Sequence, residues 1–162
     1  MLIRKAVPDD LDTLAAIEAE CFPLDQAAPR NAFEKRLRVF PDHFLMLCED
    51  SGEVISFING SVTDIPDLTD EMYADSSIHS PDGKWQMVFG LNTRPRYRRK
   101  GYAAKLMNAF IALAREEGRL GLVLTCKQSL IHYYEKFGFV NEGITDKSVI
   151  GGVSWYQMRL SF

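Results

Sequence analysis

The sequence predicts a mixed α/β fold, a central sheet of about six to seven strands flanked by helices, in one domain over residues 1–162. Three observations predict it. Strand-type and helical-period runs follow one another along the whole chain, with no internal repeat and no low-complexity linker. One stretch, residues 85–117, reads as strand, tight basic turn and long helix in direct succession. The composition, 46% hydrophobic and 25% charged over 162 residues, is that of a globular chain with its own core.

Taken in order, "LIRKAV" alternates and reads as a first strand. Pro8 opens a helix on which Leu11, Leu14, Ala15, Ile17 and Glu18 keep helical spacing, with Asp9, Asp10 and Asp12 at its positive end. It should stop near Cys21 to Pro23, leaving "FPLDQAAP" as a loop and "RNAFEKRLRVF" as a short amphipathic helix closed by Pro41. "HFLMLCED" and "EVISFINGSVTD" are strand-like and joined by a turn at Asp50-Ser51-Gly52. A turn-rich acidic segment with room for one helical turn follows, and then the strand "WQMVFGLNT". The helix over 100–117 carries Leu106, Phe110, Leu113 and Ala114 on one stripe, with Gly118 as its C-terminal stop. "LGLVLTC" reads as a buried strand and "SLIHYYEKF" as a short helix ended by Gly138. "VSWYQMRL" is the last strand, with one more near Phe139 to Glu142.

Several function classes fall away early. No segment approaches the ~20 apolar residues of a membrane span, and the N-terminus lacks a signal-type apolar stretch. Cys21, Cys48 and Cys126 make an odd count without metal spacing, so a reduced, cytoplasmic protein with no metal is expected. A net charge of −3 gives no broad basic face for nucleic acid.

Against that acidic balance, five basic residues fall between Arg94 and Lys100. They sit between a strand and a helix, with Gly101 and Ala103 allowing close approach to the backbone. Free N–H groups at a helix start, the helix dipole and arginine side chains together make an anion cradle suited to a pyrophosphate. Neither a Walker A loop nor a G-x-G-x-x-G fingerprint is present.

What is present is R-x-x-G-x-A (Arg98, Gly101, Ala103), followed downstream by "HYYEKFGF". The first resembles the coenzyme A pyrophosphate motif of the GNAT acetyltransferase superfamily and the second its "YxxxGF" signature. "IEAECFP", "GEVISFINGS" and "CKQSLIHYYEKFGF" are similar to the arylalkylamine (serotonin-type) branch and its bacterial relatives. The resemblance covers essentially the whole chain and implies a splayed strand pair that binds acetyl-CoA. It implies that Leu91, Asn92 and Thr93 face the pantetheine arm. Arg98, Arg99, Lys100, Gly101, Tyr102 and Ala103 would hold the pyrophosphate, with solvation the simpler account of Arg94 and Arg96. Tyr134 would protonate the leaving thiolate, core packing being the plainer alternative. The expected activity is acetyl transfer to a small primary amine in a ternary complex. The alternatives are a protein or peptide N-terminus as acceptor, or a non-catalytic acyl-CoA-binding module. A homodimer is compatible with all three.

One departure stands out. The serotonin-type enzymes carry two histidines where this chain has Met87 and Phe89, neither of which accepts a proton. An alkyl amine of pKa near 10.4 is only about one part in 2,500 neutral at pH 7, a deficit of about 4.6 kcal/mol. Asp64, Glu18, Glu20, His79 and His132 remain as proton acceptors, or the acceptor amine itself has a low pKa. Trp85, Met87, Phe89 and Leu91 share one face by strand alternation and form either an apolar acceptor wall or plain core. The five acids between Asp64 and Asp75 are either a negative flap for a cationic amine or a solvated loop. Cys126 as an acyl carrier lacks an activating neighbour in sequence.

Overall fold

Seven strand-forming runs give nine strands, because two of the runs break. The computed structural model describes residues 1–162. Its strands are β1 (Leu2–Lys5), β2 (Phe44–Cys48), β3 (Val54–Asn59), β4 (Val62–Thr63), β5 (Trp85–Val88), β6 (Gly90–Thr93), β7 (Gly121–Cys126), β8 (Val140–Ile144) and β9 (Tyr156–Ser161). The helices are α1 (Leu11–Cys21), α2 (Arg30–Val39), α3 (Asp70–Ala74), α4 (Tyr102–Glu116) and α5 (Ile131–Glu135). The predicted mixed sheet is present but divided. One part has the order β1-β2-β3-β6, the other β4-β5-β7-β9-β8. Only β5 and β7 run parallel.

Alternation along β2 feeds two cores. Phe44 and Met46 turn to α1 and α2, where Leu14, Ile17, Phe33, Leu37 and Phe40 complete one cluster. Leu45 and Leu47 turn the other way, onto Leu106, Met107 and Phe110 of α4. A strand buried on both faces reads as an unbroken apolar run, which is why "FLMLC" shows no polar alternation. Each of these large side chains contributes about 1.5–3 kcal/mol on burial. α4 also packs against β3, β6 and β7, so it bridges the divide between the sheet halves.

The acidic segment is tied down. Asp67 accepts from Lys147, Gln157 and Arg159, while Asp70 accepts from the Ser148 hydroxyl at 2.6 Å and the Val149 N–H at 2.8 Å. Neither a solvated loop nor an open negative flap describes it. Two of its five acids anchor the approach to β9.

Candidate active site

The divide occurs at Phe89. β5 pairs with β4 and β7, whereas β6, one residue further on, pairs with β3. The Phe89 N–H donates to Asn59 O at 2.7 Å and the Met87 N–H to Ser61 O at 2.8 Å, so the strand changes partner across the Gly60 turn. Gly60 is required there, since a Cβ would stand 1.8 Å from the Met87 carbonyl oxygen. Beyond Phe89, β6 and the end of β7 part, and a cleft of about 1070 Å³ opens between them. The Arg94 N–H donates to Ile55 O across the β3–β6 pair. Antiparallel alternation then turns the Leu91 and Thr93 backbones away from β3, towards the gap.

The break also changes the expected face pattern. Val88, Phe89, Gly90, Leu91 and Asn92 all line the cleft, while Met87 is fully buried against Leu68, Met72 and Val123. Trp85 lies under the Arg159 guanidinium, 4.6 Å from its ring centroid. The four residues thus do not form one acceptor wall.

At one end of the cleft lies the basic turn. Arg99 has φ 63° and Gly101 φ 82°, and α4 starts with no side chain capping its free N–H groups. A left-handed residue flanking an uncapped helix start gathers N–H donors into one concave surface. Arg94 pairs with Glu20 at 3.5 Å and Arg96 with Glu53, so both are held in ion pairs and not merely solvated. Arg98 donates to Thr93 O at 3.1 Å, and no carboxylate lies within ion-pair distance of Arg98, Arg99 or Lys100. Arg98, Arg99, Gly101, Tyr102 and Ala103 line the cleft with Leu91, Asn92 and Thr93. Lys100 does not; its ammonium sits 5.7 Å from the Tyr97 ring centroid.

Tyr134 stands on the opposite wall, on α5, which follows the end of β7. Its phenol pKa is raised by desolvation and by the neighbouring Cys126, so the group is a neutral donor. The hydroxyl makes no hydrogen bond within the chain although it borders the cleft, which suits donation to a bound molecule. The Cys126 thiol is pushed up to about 11 by burial and approaches Met158 Sδ at 3.5 Å, the setting of an inert thiol.

Past Phe89 the cleft holds Glu18, one of the proton acceptors considered from sequence, together with Arg36, which the sequence reading did not single out. Glu18, 7% exposed, accepts from the Asn92 side-chain amide at 2.7 Å and from the Ala28 N–H at 2.8 Å. Desolvation raises its pKa in spite of these bonds. Arg36, 2% exposed, lies between the rings of Phe33 and Phe89, at 5.1 and 4.8 Å from their centroids. It donates to Asn59 Oδ1 at 3.1 Å and to Tyr73 O at 2.9 Å. Burial pulls its pKa down to about 10, against the opposing field of Glu18. Tyr73, whose phenol burial pushes up to about 12, adds an aromatic wall 4.9 Å from the Phe89 centroid.

Of the proton acceptors considered from sequence, Glu18 alone borders the cleft. Glu20 is paired with Arg94, and His132 is 97% exposed beside Glu135. His79 accepts from the Val62 N–H at 3.0 Å on the far side of the Phe40 ring. Asp64 is exposed and outside the cleft. The signal for Arg36 was available: Phe33, Leu37 and Phe40 form the apolar stripe of α2, and Arg36 lies on it.

Known proteins share this chain's sequence pattern and fold. The chain is similar to serotonin N-acetyltransferase of Mesocricetus auratus, 28% identical over 167 aligned positions that cover 98% of this chain and 76% of that protein. In fold it is similar to the loading GNATL domain of CurA from Lyngbya majuscula, with a TM-score of 0.85 and 15% identity over 99% and 96% of the two chains. It is likewise similar to the GphF GNAT-like decarboxylase in complex with isobutyryl-CoA, with a TM-score of 0.84 and 20% identity over 99% of each chain. At these identities the two structures speak to fold alone. Residues 11–139 match the model of the acetyltransferase (GNAT) family, and the chain belongs to that family of acyltransferases.

Proposed function

We propose that this protein transfers an acetyl group from acetyl-CoA directly to the primary amine of a small acceptor. The uncapped start of α4 with Arg98, Arg99 and Gly101 suits the pyrophosphate, and the Leu91 backbone, turned towards the gap, suits the pantetheine arm and the thioester. The amine nitrogen attacks the thioester carbonyl and the C–S bond breaks. Tyr134 gives its proton to the departing sulfur, and Glu18 takes the proton lost by the amine. A carboxylate whose pKa is raised by burial is the better base for that step, and it stands in for the histidine pair replaced by Met87 and Phe89. The observation that carries the reading is the unbonded Tyr134 hydroxyl, held on the cleft wall across from the uncapped helix start.

A small acceptor fits better than a peptide. The α1–α2 loop and the segment 150–152 meet over the cleft, with Gln26 packed so closely on Gly151 that a Cβ there would stand 2.6 Å from Gln26 Cγ. That contact roofs the acceptor end.

The test is thiol release from acetyl-CoA against a panel of amines, for the wild type and Tyr134→Phe. Turnover with at least one small amine is expected, falling by about 10²–10⁴ in Tyr134→Phe with acetyl-CoA affinity unchanged. Tight binding of acetyl-CoA without turnover of any amine would refute the proposal and leave a binding module.

A further inference from the structure

The acceptor end of the cleft holds two opposite charges that feel each other's field but form no ion pair. Both Glu18 oxygens are occupied, one by Asn92 and one by Ala28. Arg36 has no carboxylate within ion-pair distance, and its two hydrogen bonds go to a neutral side-chain amide and a backbone carbonyl. Its Nε, fully buried, has no partner. The flanking Phe33 and Phe89 rings stabilise a cation through their faces but offer no hydrogen-bond acceptor. A buried guanidinium with N–H donors in reserve and only neutral partners is short of an anion.

That cation bears on the choice of acceptor. A simple amine arriving as an ammonium would be repelled by Arg36 while being attracted by Glu18. An amine that carries its own carboxylate answers both charges, with the carboxylate on Arg36 and the amino group toward Glu18. Tyr73 and Phe89 between them supply an apolar wall for a side chain. We infer that the acceptor is a zwitterion, a free amino acid or a close analogue, and that Arg36 is the residue that reads its carboxylate. This rests on the transferase reading above and narrows its substrate class. Arg36 also ties α2 to the end of β3 and to α3, so these two bonds fix the guanidinium in place beside the strand break.

The experiment compares matched acceptors in the thiol-release assay at fixed pH: phenylalanine, its methyl ester and phenethylamine; tryptophan, its methyl ester and tryptamine; leucine, its methyl ester and isoamylamine. For at least one set the free acid should exceed ester and amine in kcat/KM by about a hundredfold. In Arg36→Met that ratio should collapse towards unity, with the acetyl-CoA Kd unchanged. If the variant does not fold, the ester comparison in the wild-type protein decides by itself. An ester or simple amine that reacts as well as the free acid, or a peptide N-terminus that outruns it, overturns the proposal. If nothing turns over, the transfer reading fails separately. The anion site is then judged by calorimetric titration of each acid and ester into the protein with coenzyme A: acid-selective binding upholds it, and equal or absent binding overturns it.

Discussion

Acid should weaken this protein through one imidazole beneath the strand break. His43 is 6% exposed, and its Nδ1 donates to Gln86 Oε1 at 3.0 Å. The Gln86 amide in turn donates to the carbonyls of Gly60, Ser61 and Met87, the groups around which the sheet divides. Burial, reinforced by His79 and Arg119, pulls the His43 pKa from 6.5 down to about 4. The Glu117 carboxylate is 3.8 Å from Nδ1 but is engaged by Arg119 at 3.3 Å, so it does not rescue the imidazolium. Because the folded pKa lies below the unfolded one, the unfolded chain binds the extra proton between pH 6.5 and 4. The stability from the neutral ring is therefore complete above pH 6.5 and is lost across that window. The loss is about 1.4 kcal/mol at pH 5.5 and about 3 kcal/mol at pH 4. Urea denaturation at pH 7.5, 5.5 and 4, run beside His43→Asn, isolates this group, since an asparagine amide can donate near the position of Nδ1 but does not titrate. The wild type should lose more stability than the variant by those amounts. Parallel losses in the two proteins would refute the reasoning.

Two further expectations follow from the cleft and the break. Glu18→Gln should lower kcat and remove the acidic limb of the kcat/KM–pH profile. In the wild type that limb should lie above the ordinary carboxylate range, because desolvation raises the Glu18 pKa and the base works only when ionised; an unaltered limb would assign the base elsewhere. Gly60→Ala should destabilise the fold by more than about 3 kcal/mol, measured by chemical denaturation, since its Cβ would meet the Met87 carbonyl oxygen at 1.8 Å.

The elements themselves were legible wherever period and punctuation agreed. The expected helix over 100–117 is α4, with Leu106, Phe110 and Ala114 buried as its stripe required, and Pro41 follows the end of α2 as expected. The strand near Phe139 to Glu142 is β8. The strand break was not legible, because "WQMVFGLNT" alternates as one strand should. Its cause is a close approach between Gly60 and Met87 carried by the tertiary fold. Without the break, Val88 and Phe89 belong to opposite faces; with it, both reach the cleft. The fate of the acidic segment was hidden for a similar reason. Asp67 and Asp70 meet partners some eighty residues away, and no local pattern announces Lys147 or Ser148. Arg36 is the opposite case, a charge on an apolar stripe that the sequence displayed and a stricter reading of the stripe would have caught.

Because α4 lies across both halves of the sheet, the opening between them is gauged by side-chain volume. No ladder of backbone bonds joins β6 to β7; Leu106, Met107 and Phe110 fill the space beneath them. The helix that presents its bare N-terminus to the ligand is also the spacer that sets how far apart the walls stand. Trimming or enlarging one of those three residues would retune the fit of everything that enters the gap, from positions that pack behind its lining and do not themselves line it.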